Sequence, residues 1–204
     1  MNTADNKNRM TLLLIAGVPV MIILASSWLW YFVASGRLDL VELLGTSNRG
    51  HLLQPPLNLA DLQVVDKEGL DFEPGAEDKP QWRIMVPGHS DCDADCWQLL
   101  HYTRQMHRAM GKYTARIERV FLGIGMDGSE SLNGELQQQY PRLKLLYTPS
   151  ASFQAQLDDR WTASGQPDYY LVDPRGWIIL SYQADTDGKD LMADLKFLLK
   201  NSNG

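Results

Sequence analysis

The chain has 204 residues, of which 44% are hydrophobic and 22% are charged, and its formal net charge is -6. These values are typical of one globular domain of ordinary size with short additional segments. A net negative charge argues against nucleic-acid binding, which requires a basic surface. Two cysteines are too few for a small protein held together by a disulfide framework.

The amino-terminal segment is predicted to anchor the chain in a membrane. Residues 1–10 form a short cytoplasmic tail, and residues 11–34 are 24 positions without a charge. As a helix this stretch spans about 36 Å, enough to cross a hydrocarbon core of ~30 Å. Trp28, Trp30 and Tyr31 near its end are typical of the membrane interface. A cleaved signal peptide is the alternative, although its apolar region is usually only about 7–15 residues long.

The charges that flank the span predict its orientation. Lys7 and Arg9 precede it, whereas Arg37 follows it with Asp39 and Glu42 close by. The positive-inside rule therefore favours a cytoplasmic amino terminus. The soluble domain would then lie on the periplasmic (extracytoplasmic) side of the inner (plasma) membrane, where oxidising conditions act on cysteine pairs.

Residues 35–60 are predicted to be a linker, because the stretches GTSNRG and QPP are rich in turn residues and poorly patterned for a core. Residues 61–204 are predicted to form one folded domain. Its first element is a hairpin over residues 62–72, with its turn at 66–69.

The rest of the domain alternates between strands and helices. The apolar patterns predict strands at 82–86, 119–126 and 143–147, helices from near Ser90 to residue 110, at 131–140 and at 150–161, a hairpin over 168–182, and a closing helix over 187–200. This order indicates an α/β layered domain with a mixed sheet. Ligands of such sheets bind outside the carboxyl ends of the strands.

Both cysteines lie at such a strand end, in the stretch GHSDCDADCWQLL. On a helix, residues four apart have β-carbons about 5–6 Å apart, whereas a disulfide needs about 3.8 Å. A bridge between Cys92 and Cys96 therefore requires the first cysteine to lie outside helical geometry. When reduced, the two sulfurs suit a soft metal ion, and thiolates select copper(I). A purely structural bridge is the alternative, and its short loop would contribute little stability.

The neighbours of the cysteines are acidic. Asp91, Asp93 and Asp95 oppose the thiolate that a helix amino terminus favours, and they attract a cation. The alternative is that they only cap the helix and face solvent. His89 is the best-placed third metal ligand, because it precedes Cys92 by three residues. Its alternative role is that of a solvated loop histidine.

The stretch from WRIMVPGHSDCDADCWQLL to FLGIGMD resembles the core of the Sco/SenC family, and YYLVDPRGWI resembles that family's Tyr-Leu-Ile-Asp-Pro-Asp-Gly hairpin. The resemblance extends over residues ~57–200 of the chain. It implies a thioredoxin-like mixed sheet flanked by helices and preceded by one transmembrane helix. It also implies a factor that delivers copper to a cytochrome c oxidase subunit, or reduces cysteines at its copper site. In this interpretation Cys92 is the more exposed thiol and Cys96 its partner.

The chain also departs from the Sco pattern. In Sco proteins the two cysteines and a downstream histidine bind copper, and the position of that histidine falls near Gly165, where the chain has none. Proline usually follows the second cysteine, whereas this chain has Trp97. Pro167 precedes its strand as the cis-proline of thioredoxin-like oxidoreductases does, opposite the redox cysteines. An ordinary turn proline is the alternative.

Two other functions compete with the Sco-like one. The first is an exported thiol–disulfide oxidoreductase of the TlpA or ResA type, favoured by Pro167 and by the missing histidine. That class has two residues between its cysteines, whereas this chain has three. The second is a non-catalytic assembly or interaction module with a structural disulfide, because a fold does not carry a function with it.

Overall fold

In a computed structural model of the chain, the described residues are 3–34, 48–76, 79–89, 92–125, 130–161 and 169–202. They belong to two compact units, Met1–Ser47 and Asn48–Gly204. The first unit contains helix α1 (Thr3–Ala34). Its stretch Leu13–Tyr31 has a mean hydropathy of 2.1 and is long and apolar enough to cross a membrane. The predicted apolar helix is therefore confirmed, while its orientation stays a prediction.

The second unit is a mixed sheet flanked by helices. The strands are β1 (His51–Asn58), β2 (Val65–Asp66), β3 (Trp82–Gly88), β4 (Ile117–Ile124), β5 (Leu143–Thr148), β6 (Tyr169–Val172) and β7 (Trp177–Tyr182). The helices are α2 (Ala94–Ala109), α3 (Glu130–Gln139), α4 (Ser150–Trp161) and α5 (Gly188–Asn201). The strand order is β1-β7-β6-β3-β4-β5-β2, with β3, β4 and β5 parallel and the other pairs antiparallel. The predicted thioredoxin-like α/β architecture is confirmed.

The sheet is buried on both faces, which is why its central strands are almost continuously apolar. Side chains alternate between the faces along a strand. In β3, Ile84 and Val86 join the cluster under α2 and α5, while Met85 joins a second cluster on the other face. The second cluster includes the turn residues Leu59 and Leu62. The carboxyl end of β3 is thus held from both sides where it leads toward α2.

Helix α2 begins later than predicted. Its first residue is Ala94, and Asp93 caps it by accepting a hydrogen bond from the amide of Cys96 at 3.0 Å. Ser90, near which the start was predicted, lies outside the described residues. The buried face has the predicted spacing, since Leu99, Leu100 and Met106 are all buried.

The folded unit begins before residue 61, so the predicted linker boundary is wrong. Residues 51–58, assigned to the linker, form β1 and pair with β7. Asp194 of α5 accepts hydrogen bonds from the amides of Arg49 and Gly50, at 2.9 and 3.0 Å, and from the hydroxyl of Tyr182 at 2.8 Å. Burial, and then the charge of Asp194, raise the pKa of Tyr182. These partners lie more than a hundred residues from β1 in sequence, so local patterning does not reveal them.

Candidate functional site

A disulfide joins Cys92 and Cys96 where β3 leads into α2. The two Cα atoms are 5.2 Å apart, and the sulfurs are 2.07 Å apart. Cys92 precedes the helix and has a φ of 25°, in the left-handed region that side chains rarely adopt. The expectation that a bridge takes the first cysteine out of helical geometry is confirmed. The amide of Cys92 donates to the carbonyl of His89 at 3.3 Å, which closes the loop before the helix.

The two sulfur-bearing residues differ in exposure. Cys92 is only 3% exposed and belongs to the buried cluster under α2. Cys96 is half-buried and packs against the edge of that cluster. The expectation that Cys92 is the more exposed thiol is therefore wrong. The reason is that Cys92 faces the core before the chain enters α2, whereas the first turn of α2 carries Cys96 toward the surface.

The acidic neighbours of the disulfide have separate roles. Asp93 is the helix cap, because its carboxylate accepts from the amide of Cys96. Asp95 lies exposed in the first helical turn, and Asp91 lies outside the described residues. The alternative, in which these aspartates cap the helix and face solvent, is thus confirmed: Asp93 is the cap and Asp95 faces solvent. Both carboxylates still disfavour a thiolate at Cys96, against the field of the helix amino terminus.

Gly88 is a site residue that the sequence analysis missed. A β-carbon at this position would lie 2.4 Å from the ring of Phe121 and 3.4 Å from the sulfur of Cys96. The absent side chain therefore lets the last residue of β3 lie directly against both groups. The available signal was a glycine at the end of an apolar strand, which marks a close approach.

Trp97, which stands where the Sco pattern has proline, has an aromatic partner. Its ring stacks on Tyr140, with centroids 6.2 Å apart and planes at 21°. Tyr140 is 5% exposed and lies between α3 and β5. Trp97 thus ties the first turn of α2 to the loop before β5.

Of the remaining predicted site residues, the structure describes only His89. His89 is exposed, and its carbonyl accepts a hydrogen bond from the amide of Cys92. Pro167 and Gly165 lie outside the described residues, so the role of Pro167 stays a prediction. Within the described ranges, no group of three or more His, Cys, Asp or Glu side chains is placed to hold a metal ion. The assignment of His89 as a ligand also stays a prediction.

Residues 82–202 match the family model described as a transmembrane-like, thioredoxin-like, C-terminal domain. This match spans β3 to α5 and includes both cysteines. Among curated proteins, none matches the chain significantly.

Solved structures of Sco proteins share the fold. Copper-bound yeast Sco1 is 18% identical with a TM-score of 0.55, over 78% of this chain and 97% of that one. Copper-bound ScoI of Arabidopsis thaliana is 14% identical with a TM-score of 0.52, over 75% and 99%. BsSco, a Sco-family cytochrome c oxidase assembly protein with a disulfide switch, is 12% identical with a TM-score of 0.52, over 77% and 98%. The predicted resemblance to Sco proteins is confirmed as a likeness of fold.

Proposed function

We propose that this chain, which belongs to the family of transmembrane-like, thioredoxin-like C-terminal domains, carries out thiol–disulfide exchange while it is anchored in a membrane. The observation that carries the proposal is a disulfide with one accessible and one buried sulfur at the carboxyl end of a central strand. Helix α1 would hold the domain at the inner membrane, with the domain on the periplasmic side.

The exchange begins from the reduced pair. The thiolate of Cys96 attacks one sulfur of a disulfide in the client protein, and the other client sulfur leaves as a thiolate that takes up a proton. The thiolate of Cys92 then attacks the sulfur of Cys96, restores the Cys92–Cys96 bond and releases the second client thiol. Two electrons pass to the client, and a dithiol reductant must reduce the pair again.

The packing of the two cysteines supports this order of the two steps. Cys92 is 3% exposed and belongs to the core cluster, and this burial hinders attack on an external disulfide. Cys96 lies in the first turn of α2, where backbone amides favour the thiolate. In this proposal Cys96 is the attacking residue and Cys92 the resolving residue.

The proposed client is a cytochrome c oxidase subunit whose copper-site cysteines must be reduced before they bind metal. The support is the fold shared with BsSco, which is itself an oxidase assembly protein with a disulfide switch. Another exported cysteine protein is the alternative client, as for oxidoreductases of the TlpA or ResA type.

The test uses the reduced full chain in a non-ionic detergent, with glutathione disulfide as the oxidant. We expect oxidation within minutes, measured by thiol alkylation and intact mass. The Cys92→Ser variant should accumulate a mixed disulfide, and the Cys96→Ser variant should react at least tenfold more slowly. Equal rates for the two variants would contradict the assignment. A double Cys→Ala variant that fully supports oxidase assembly in cells would favour the non-catalytic alternative.

A second candidate function is copper(I) delivery, with copper as cargo. The observation that favours it is the convergence of both sulfurs at one point, because two thiolates suit copper(I) once the bond is reduced. The third ligand would come from His89. Competition between the reduced chain and a copper(I) chelator tests this: His89→Ala should weaken binding at least tenfold, while His101→Ala, an exposed histidine on α2, should not. Equal affinities of the two variants would remove His89 from the ligand set.

A further inference from the structure

We propose that a cavity at the far end of α2 is a binding site for a phosphate group, separate from the disulfide. The cavity has a volume of about 310 Å³, within the range of about 300–1,000 Å³ typical of small-ligand sites. It lies between α2, β4 and the loop before β5. None of the described residues that line it is acidic, and they include Arg104, His107, Arg108, Arg119, Tyr140 and Arg142.

Arg119 is the residue that points to a ligand. It lies on β4 between Ile117 and Phe121, on the face that is otherwise apolar and covered by α2. Its side chain is only 5% exposed, yet its Nη1 atom has no hydrogen-bond partner among the residues that the structure describes. A buried N–H donor without an acceptor is costly, so the Nη1 atom of Arg119 favours a ligand that accepts hydrogen bonds.

The surroundings of Arg119 add positive charge. Arg104 and Arg119 both lie over the ring of Tyr140, each 5.6 Å from its centroid. Burial, and then the charge of Arg104, lower the pKa of Arg119. Burial lowers the pKa of His107, whose Nε2 lies 3.0 Å from the carbonyl oxygen of Ile117, so the positive charge of the cavity comes from its arginines. Like charges held this close favour an anion between them.

A helix terminus alone does not explain this cluster. Cations in the last turn of α2 complement its dipole, which accounts for His107 and Arg108. Arg119 belongs to a strand and Arg142 to the loop before β5, so the dipole of α2 does not explain them. The cluster is also local, since the whole chain has a net charge of -6.

Phosphate fits the chemistry of the cavity. Guanidinium groups bind phosphate oxygens with two parallel hydrogen bonds, and several arginines can share the oxygens of one phosphate. The group could belong to a soluble phosphate or to the headgroup of an anionic lipid. The cavity does not overlap the disulfide, because β3, β4 and β5 are parallel. Cys92 follows the carboxyl end of β3, whereas Arg119 lies near the amino end of β4.

The first experiment measures inorganic phosphate binding to the full chain in non-ionic detergent, by calorimetry and by thermal unfolding. Sodium chloride of equal ionic strength is the reference. We expect saturable binding and a rise in Tm with phosphate only. Arg142→Gln, at an exposed position, should bind at least tenfold more weakly. Arg175→Gln, in the exposed β6–β7 turn, is the matched control and should bind as the wild type does.

Arg119→Met separates a ligand contact from a structural role. In phosphate-free buffer this variant should melt at or above the wild-type temperature, because it removes a buried donor that has no acceptor and the methionine keeps an apolar contact with Tyr140, but phosphate should no longer raise its Tm. A structural role would lower its Tm in both buffers. If the variant does not fold, Arg142→Gln carries the test. Phosphate that acts no differently from chloride, or variants that bind as the wild type does, would overturn the proposal.

A lipid arm identifies the source of the phosphate. The chain is placed in nanodiscs of phosphatidylcholine, with or without phosphatidylglycerol. If a lipid headgroup occupies the site, phosphatidylglycerol should raise the Tm of the wild type but not of Arg142→Gln. If a soluble phosphate occupies it, the two nanodiscs should give the same Tm and added phosphate should still raise it. If Arg142→Gln has the same Tm response as the wild type to phosphatidylglycerol and to added phosphate, neither a lipid headgroup nor a soluble phosphate occupies the cavity.

Discussion

The two ends of α2 differ in charge and in how completely their polar groups are paired. At the amino end, Asp93 has a clear partner, the amide of Cys96, and the sulfurs are joined to each other. At the carboxyl end, Arg119 is buried and its Nη1 has no partner in the described part of the chain. Among the described residues, Asp93 and the two sulfurs of the first region are paired inside the protein, whereas the Nη1 atom of Arg119 in the second region has no acceptor. Unmet hydrogen-bonding capacity in a buried donor, more than charge alone, distinguishes the arginine cavity from a solvated basic surface.

Tyr140 connects the two regions, so its removal should have the largest effect. Its ring stacks with Trp97 and also lies under the guanidinium groups of Arg104 and Arg119. We expect Tyr140→Ala to lower the free energy of unfolding by about 3–5 kcal/mol, as for other buried aromatic residues. Denaturant titration measures this. Tyr140→Phe keeps the ring and is the control; a loss as large as that of the alanine variant would show that the ring contacts are not what matters.

Gly88 lies where the disulfide end of β3 is most closely packed. An added methyl group would meet the ring of Phe121, which is fully buried. We expect Gly88→Ala to destabilise the fold by about 1–3 kcal/mol. Gly134 of α3 has no atom within 4 Å of a built β-carbon, so Gly134→Ala should leave stability equal or slightly higher. Identical melting of the two variants would show that the strand end is not tightly packed.

Capping and charge can be separated at Asp93. Asp93→Ala should cost about 1 kcal/mol, within the usual 0.5–2 kcal/mol for a lost cap. Asp93→Asn keeps an acceptor and should cost much less, whereas Asp95→Ala should change stability by less than ~0.5 kcal/mol. Thermal unfolding of the oxidised chain distinguishes them. An asparagine variant as unstable as the alanine variant would assign the effect to charge.

The smallest expected effect is on the pH dependence of the arginine end. Burial, followed by the charges of Arg119 and Arg142, lowers the pKa of His107 below its usual value, although the carbonyls of Ile117 and Thr114 act against this shift. The unfolded chain therefore binds the proton first, and stability present above about pH 6.5 is lost as the pH falls.

We expect Tm to fall between pH 7.5 and 5.5, and to fall less in His107→Gln. The contribution should stay below about 1 kcal/mol, because solvent screens the half-buried ring. The lowered pKa of Asp187 changes stability only in more acidic solutions. If Tm falls with pH as much in His107→Gln as in the wild type, His107 is not the source of the pH dependence.

The sequence predicted the regular elements of the core well, because buried strands and amphipathic helices have local periodicity. It missed β1 because Gln54, Pro55 and Pro56 resemble a linker, and because the pairing of His51 with Ser181 spans 130 residues. The apolar pattern of the sequence also predicted that β4 starts at Arg119. A terminal arginine would be solvated, whereas the true start at Ile117 makes it internal and buried.

The positions of the cysteines could be predicted, but not their exposures. The stretch Cys92–Cys96 identifies the strand-to-helix junction and the possible bridge. Which sulfur faces solvent depends on the backbone at Cys92, whose φ of 25° has no sequence signature in a residue other than glycine. Likewise, the fit of Gly88 against Phe121 depends on how β3 and β4 align in the sheet.

The most direct test of thiol–disulfide exchange is to locate the first sulfur that reacts. The reduced full chain is mixed with limiting glutathione disulfide, quenched with acid within seconds and digested, and the glutathione adduct is mapped by mass spectrometry. Since Cys92 is 3% exposed and Cys96 half-buried, the adduct is expected on Cys96. An adduct mainly on Cys92, or no adduct before denaturation, would contradict the account.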